Sequence, residues 1–382
     1  MIDWKGVHLS CLFFLVILSG CWDTNEPDHM DYVYGMGIDY VDGQVKIYLQ
    51  MVNLSSLGTP EVTSETESKA VIATATANTI SEAVHEIYQS AQQRLYLGHN
   101  TSVVLSEEAL KNGKLKETID LLNRFPDTRY RMNFFATKDD IADIFKVSTI
   151  FQGSPILTRM TDMENIYEQS SRVQNLSLRE LIIFLDEPNY EAKIPVIAVE
   201  DKVWQTEDEK LLMVKDDGVA LVNVNELKGL LIDDDMKGLR WTVKSERNNV
   251  TIYDGNQPVG ELIVVRPKQN YTIHTDKKNV TFELSIEAKA MINEIMEDIS
   301  EEGIIELIED RIEAEVMQTY IEALRQEADV YRLSEKVYRR EIKTWKKLNV
   351  NGTIPLAEDS LHVNVEIELI DSGIDKTEPT VE

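Results

Sequence analysis

The residues best placed to take part in chemistry are Leu18, Ser19, Gly20 and Cys21, followed directly by Trp22 and Asp23. Leu-Ser-Gly-Cys is the lipobox pattern of lipoproteins. Small side chains at Ser19 and Gly20 let an extended backbone enter a peptidase cleft. The Cys21 thiol accepts a diacylglyceryl unit as a thioether. Cleavage between Gly20 and Cys21 then leaves the acylated cysteine at the N-terminus. This chemistry is done to the chain and not by it.

The flanking segments suit that role. Lys5 precedes an apolar run over 11–18, which gives the order of a signal peptide: charged region, short apolar region, small residues. The run is too short to span a bilayer, which takes about 20 apolar residues. No later run is long enough either, so the body is expected to be anchored and not spanning. Residues 21–31 read as the lipidated cysteine and a polar tether.

Composition narrows the function further. The chain has 382 residues, 43% hydrophobic and 28% charged, which fits a globular protein of two or three domains. Of its two cysteines, Cys11 leaves with the signal and Cys21 is consumed by the lipid. The mature body then has no thiol for catalysis, disulfides or thiolate metal sites. A formal charge of −28 argues against nucleic acid as a partner. It also disfavours an anionic leaflet, by about 1 kcal/mol per charge held near the surface. That repulsion decays within about 8 Å at physiological salt. Acyl chains gain ~0.8 kcal/mol per buried CH₂, so a short stand-off lets the anchor win.

Other patterns do not rise to a catalytic site. Six histidines are scattered, with none at i, i+4 spacing from another. Gly35-Met36-Gly37 begins like a dinucleotide loop, yet no helix follows, so it reads as a pair of hairpin glycines. Neither a Gly-Lys-Ser/Thr loop nor a Gly-x-Ser-x-Gly elbow occurs. Asp233-Asp234-Asp235 lacks the spaced oxygens of a calcium loop and reads as a solvated turn. No cofactor or metal is expected. Paired carboxylates in so acidic a chain keep an envelope hydrolase as a minor rival.

Periodicity supplies the elements. Residues 31–53 read as a hairpin turning at Asp42-Gly43, and 71–77 as a strand. Thr79-Ile80-Ser81-Glu82 is a capping-box signature ahead of a helix carrying Ile80, Ala83, Val84 and Ile87. A strand over 101–105, a helix from Glu107 toward Arg124 and a strand over 134–137 follow. A helix over 176–185 and a strand over 194–199 complete this half. The charged stretch 200–215 reads as a domain boundary. Beyond it come strands at 218–224, 229–232, 240–243, 250–253, 260–265, 271–274 and 280–290. Helices follow across Gly303, with Ile304, Ile308, Ile312, Val316 and Tyr320 on one face and Glu306, Glu309, Asp310 and Glu313 opposite. A last strand covers 361–369. The fold class is α+β, with an N-terminal domain over 32–205 that divides into two lobes on one reading, a C-terminal domain over 210–375 and a polar tail over 376–382.

Several of these segments together resemble a family. Cys21-Trp22-Asp23 and Gly35-Met36-Gly37-Ile38-Asp39 are similar to the start of the Ger(x)C spore germination lipoproteins. Leu97-Gly98-His99-Asn100, Val103 to Glu107, and Arg124 with Pro126 resemble later segments. So do Gly218-Val219-Ala220-Leu221, Lys228-Gly229-Leu230-Leu231, Gly238-Leu239-Arg240-Trp241 and Trp345-Lys346-Lys347. One departure is Asp329-Val330-Tyr331-Arg332-Leu333, which lacks the glycine that often follows the aromatic. The resemblance implies an elongated set of mixed α/β domains with largely antiparallel sheets. It also implies a non-catalytic C subunit of a nutrient germinant receptor, carrying diacylglyceryl and palmitate groups. Such a subunit sits on the extracytoplasmic face of the spore inner membrane and contacts A- and B-type receptor subunits. The rival binding role is a lipid-anchored solute-binding protein of a transporter, which should show βα alternation in both halves.

Overall fold

The computed structural model describes residues 30–51, 70–147, 158–161, 163–187, 190–207, 210–224, 226–276, 279–297, 299–350 and 352–370. The signal, Gly20 and Cys21, and the tail at 376–382 lie outside the described residues.

Strands β1 (Met30–Val41) and β2 (Gln44–Met51) form the expected hairpin, in antiparallel register. Asp42 and Gly43 both have positive φ, 52° and 83°, as the turn type that matches strand twist requires. β3 (Val71–Ala77) adds to β2. Helix α1 (Ile80–Ser90) starts at Thr79, whose side chain accepts from the Glu82 amide at 3.1 Å. The return bond of the capping box goes one residue early, from the Asn78 N–H to Glu82.

The chain then crosses back through β4 (Arg94–Tyr96), β5 (Ser102–Ser106), α2 (Glu107–Lys111), α3 (Lys114–Arg124) and β6 (Asn133–Thr137). The helix expected from Glu107 onward is two helices, broken where Gly113 takes φ 70°. After β6 come α4 (Ile141–Lys146), α5 (Met163–Gln169), α6 (Leu178–Asp186) and β7 (Ala192–Glu200). Because helical connections bring the chain back to the same end each time, β1, β5, β6 and β7 are mutually parallel. The centre of this sheet is therefore covered on both faces. Helices α1, α2, α3 and α6 pack on one side, and α4 with Met160 and Met163 on the other.

Gly37 shows how close that second layer lies. A Cβ there would sit 2.4 Å from Ile141 Cγ2. The Gly35-Met36-Gly37 pair is thus a bare strand surface for α4.

Strand pairing does not stop at the charged stretch 200–215. β8 (Met213–Val222) runs antiparallel to β7, and β9 (Leu227–Ile232) pairs with β8. The first sheet has the order β3-β2-β1-β5-β6-β7-β8-β9, with β4 beside β1. β8 serves two cores at once: Ala220 and Val222 face the first, while Val219 and Leu221 face the second. This is period-2 alternation with both faces buried.

The second sheet has the order β10-β11-β12-β13. β10 (Asn248–Asp254), β11 (Gln257–Thr275) and β12 (Val280–Ile295) are antiparallel neighbours. The two strands expected over 260–265 and 271–274 are one strand. Its register shifts between Val265 and Lys268, where Arg266 takes φ 48°. β13 (Leu361–Leu369) returns parallel to β12 after α7 (Glu301–Arg325), α8 (Leu333–Arg340) and α9 (Ile342–Leu348).

Helix α7 is capped by Ser300, which accepts from the Gly303 N–H at 3.1 Å. Its Ile304, Ile308, Ile312, Val316 and Tyr320 are fully buried. Side chains of this kind contribute roughly 1.5–3 kcal/mol each on burial. Glu309 on the acidic face is not merely solvated, because it accepts the Ile367 N–H of β13 at 2.9 Å. The strand expected at 240–243 does not form. Residues Asp233–Trp241 make a 3₁₀ segment instead, packed on α7.

Candidate functional site

Gly20 and Cys21 precede the first described residue, Met30. There β1 pairs in parallel with β4, Met30 opposite Arg94 and Tyr32 opposite Tyr96. The Leu97-Gly98-His99-Asn100 segment turns directly behind β4 as a short 3₁₀ helix, closed by the Asn100 N–H on Leu97 O at 3.0 Å. Tyr96 folds over Gly98, where a Cβ would lie 2.6 Å from its ring. Tyr32 and Tyr96 meet edge-on at 5.9 Å, and His99 stands edge-on to Tyr32 at 4.9 Å. Burial, then the Arg129 guanidinium, holds His99 below its usual pKa, so the ring packs as a neutral aromatic. Thr101 ties the turn to β1 through its N–H and hydroxyl, both donating to Tyr34 O at 2.9 and 3.0 Å.

Behind this turn is a cavity of about 420 Å³, lined by Met36, Leu95, Leu97, Asn100, Leu122 and Phe125 among others. Its walls come from β1, the end of α1, β4, α3 and the segment after Arg124. The Arg124-x-Pro126 step thus ends α3 at the cavity wall, with Arg124 itself outside, paired with Asp120 at 3.1 Å.

A second cluster joins the two cores. Asp329 is 6% exposed and accepts from the Leu333 and Ser334 N–H groups at 2.8 and 2.7 Å, holding the start of α8. The N–H of Asp329 donates to Glu191, at the start of β7, at 2.7 Å. Arg332 reaches the Tyr190 hydroxyl at 2.8 Å and lies over its ring at 4.8 Å. Arg332 has φ 56° and ψ 44°, the left-handed conformation that glycine adopts without cost. The departure noted at this segment is therefore a local substitution: arginine holds glycine's backbone conformation, and its guanidinium gains contacts.

The charges here are strongly perturbed. Burial, then the Asp329 carboxylate, pushes Glu191 up to about 7. Burial, then Arg332, pulls Lys193 down to about 7 and Lys336 down to about 8. Such shifts also mark catalytic groups. Here the carboxylates are occupied by this chain's own backbone N–H groups, and the cluster works as a joint.

The Gly238-Leu239-Arg240-Trp241 segment builds a third cluster. A Cβ on Gly238 would lie 2.5 Å from Glu315 O, so only glycine lets the segment touch α7. Glu315 is 6% exposed and accepts from Arg240 Nη2 and Trp241 Nε1, both at 2.8 Å, and from Arg311 Nε at 3.2 Å. Asp233-Asp234-Asp235 begins the same segment. Asp234 pairs with Lys237 at 2.6 Å, and Asp235 accepts from Gln318 at 3.1 Å.

Among the described residues no group of three His, Cys, Asp or Glu side chains could hold a metal ion. Among them, too, no helix is long and apolar enough to cross a membrane. Sequence reasoning placed the motifs that build these clusters but missed Glu191 and Glu315, which meet their partners only across long separations. The acidic residue inside an otherwise apolar stripe, Glu315 beside Val316, was the available signal.

Comparisons with known proteins agree with this architecture. Residues 23–199 match the family described as "Spore germination protein N-terminal domain". Residues 217–373 match "Spore germination B3/ GerAC like, C-terminal". Spore germination protein KC of Bacillus subtilis (strain 168) is 21% identical over 357 residues, covering 88% of each chain. Spore germination protein B3 of the same organism is 22% identical over 307 residues, 75% of this chain and 74% of that one. The crystal structure of the GerBC protein superposes with a TM-score of 0.54 over 88% of this chain and 97% of that one, at 17% identity, which speaks to the fold alone. With both halves matched and the two-sheet fold shared, the chain belongs to the Ger(x)C family of spore germination proteins, the germinant-receptor type.

Proposed function

We propose that this chain is a non-catalytic, lipid-anchored subunit of a spore germinant receptor, needed for nutrient-triggered germination and acting through contacts with A- and B-type membrane subunits. One observation carries the reading. The germination-family match begins at residue 23, directly behind the acylatable Cys21 of Leu18-Ser19-Gly20-Cys21. Met30 is nine residues past Cys21, and nine residues reach at most about 30 Å. The β4 end of the first sheet would then lie nearest the extracytoplasmic face of the spore inner membrane. A diacyl anchor holds stably where one chain does not.

The second sheet supports this role over a transporter's solute-binding protein. From Asn248 the chain runs three antiparallel strands with no helix between them, whereas a doubly wound second lobe would alternate strand and helix.

The test uses spores of a strain with no redundant copy. Without this chain they should fail to germinate on nutrients yet respond to a nutrient-independent trigger. The native chain should restore the response, and Cys21→Ala should not. Normal germination of the deleted strain on every nutrient would reject the reading.

A further inference from the structure

We propose that the cavity between the end of α5 and the Asp233–Trp241 segment is a binding site for a small, doubly charged phosphate monoester, held by Arg172 and Arg247. Its volume is about 530 Å³, within the roughly 300–1,000 Å³ of ligand pockets. The lining is basic: Arg172, Lys237, Arg240 and Arg247 stand against Asp233 and Asp234. In the chain as a whole the balance is reversed, with 67 Asp and Glu to 39 Lys and Arg. A concave surface with an excess of cations, set in so acidic a chain, focuses attraction for an anion.

Two of those cations already have carboxylate partners. Lys237 Nζ holds Asp234 at 2.6 Å, and Arg240 Nη2 holds Glu315 at 2.8 Å. Among the described residues Arg172 and Arg247 have no carboxylate partner. Ser171 keeps these two side by side. Its N–H donates to Arg247 O at 3.2 Å, and its hydroxyl oxygen accepts from the Glu246 and Arg247 N–H groups at 3.0 and 3.3 Å.

The charged heads lie at this cavity. Arg247 Nε meets Asn249 Oδ1 at 3.3 Å, and Arg240 Nη1 meets Asn249 O at 3.1 Å, all three being lining residues. Lys237 holds the Asp234 carboxyl below its usual pKa, with smaller contributions from Arg311 and Arg172, so the Arg172 charge acts on the same wall. Both Arg172 and Arg247 are exposed, which leaves their other N–H groups open to a ligand. Like charges held together repel unless an anion lies between them. Guanidinium forks match the oxygens of a phosphate, and a dianion neutralises both. The remaining walls, Ser170 and Asn249 among them, suit a polar body. The site requires neither the anchor nor the receptor role.

Methyl phosphate and dimethyl phosphate separate the elements of the proposal. At about pH 8 the first is a dianion, above a second pKa of roughly 6, while the second carries one charge, as the phosphodiesters of lipid headgroups do. Each is titrated into the full chain in detergent and followed by calorimetry. Methyl phosphate should bind saturably at one site with a Kd of about 1 mM or tighter. Dimethyl phosphate should bind at least about tenfold more weakly. Arg172→Gln and Arg247→Gln should each weaken methyl phosphate about tenfold. Arg131→Gln, which removes an exposed arginine outside the lining, should stay within about twofold of the native chain. Should one of the two lining variants not fold, the other and the monoester-to-diester ratio of the native chain decide. No saturable binding of methyl phosphate, equal affinity for the two probes, folded lining variants that bind as the native chain does, or an equal loss in Arg131→Gln would each overturn the assignment.

Discussion

Replacing Glu315 by alanine should cost this protein about 3–5 kcal/mol, the range for removing one partner of a buried ion pair. Its side chain is 6% exposed and Arg240's is 14%, so solvent cannot take over the pairing. The Ala variant strands the Arg240 guanidinium, which among the described residues keeps its bond to Asn249 O at 3.1 Å and its place over the Trp241 ring at 4.7 Å. It also strands the Nε1–H of Trp241, a residue 0% exposed. Glu315→Gln keeps an acceptor and loses the charge, so its cost should be smaller, about 1–3 kcal/mol. The Glu315→Leu, Arg240→Met pair removes both charges together and should recover part of the loss, because two desolvation penalties vanish with the attraction while the Trp241 Nε1–H stays unpaired. Urea unfolding followed by tryptophan emission and far-UV circular dichroism reads all three. A loss below about 1 kcal/mol for Glu315→Ala, or a double variant no more stable than that single one, would refute the claim that Gly238-Leu239-Arg240-Trp241 exists to lock the 3₁₀ segment onto α7.

The joint between the cores gives two further expectations. At Arg332, φ is 56°. A left-handed conformation costs a non-glycine residue about 1–2 kcal/mol, while the ring contact and hydrogen bond to Tyr190 return a similar amount. Arg332→Gly should therefore stay within about 1 kcal/mol of the native chain, and Arg332→Ala should be about 1–2 kcal/mol less stable than Arg332→Gly. Thermal melts giving Ala equal to or above Gly would contradict this. Glu191 titrates at about 7 in the fold against an ordinary 4.5, so its contribution is full below about 4.5 and lost as pH rises through 7. Asp329, also raised by burial, shares that direction. Lys193 at about 7 and Lys336 at about 8 act oppositely, their contributions being lost as pH falls from 10.5. The joint should be weakest near neutrality. Glu191→Gln should remove about 1–3 kcal/mol of the stability lost between about pH 5 and pH 7; parallel stability curves for variant and native chain would contradict the assignment.

Local signals carried much of the fold. Asp42-Gly43 marked a hairpin because both residues tolerate positive φ. Val71–Ala77 and Leu361–Leu369 were legible to the residue, since alternation over seven or more positions has no helical equivalent. The stretch 240–243 misled because four residues do not separate period 2 from period 3. The spacing of Met236 and Leu239, both buried, was the 3₁₀ signature. α4 went unread although Ile141, Ile144 and Phe145 follow an Asp140 cap, being too short to show periodicity. β8 was credited to one half because sequence cannot show that its two faces serve different cores. The Glu315 and Glu191 contacts bridge 75 and 138 positions, and the cavity at Asn100 is walled by residues spread from Met36 to Met132. Spacing along the chain marks Glu315 as out of place in its stripe but names neither these partners nor the cavity.

The proposed function turns on an acylated cysteine joining a germination-family body to the membrane. The most direct measurement is the intact mass of the chain purified from spore inner membranes. A chain beginning at Cys21 and carrying a diacylglyceryl thioether is the expected result. A chain that keeps Met1 and carries no acyl group would contradict it.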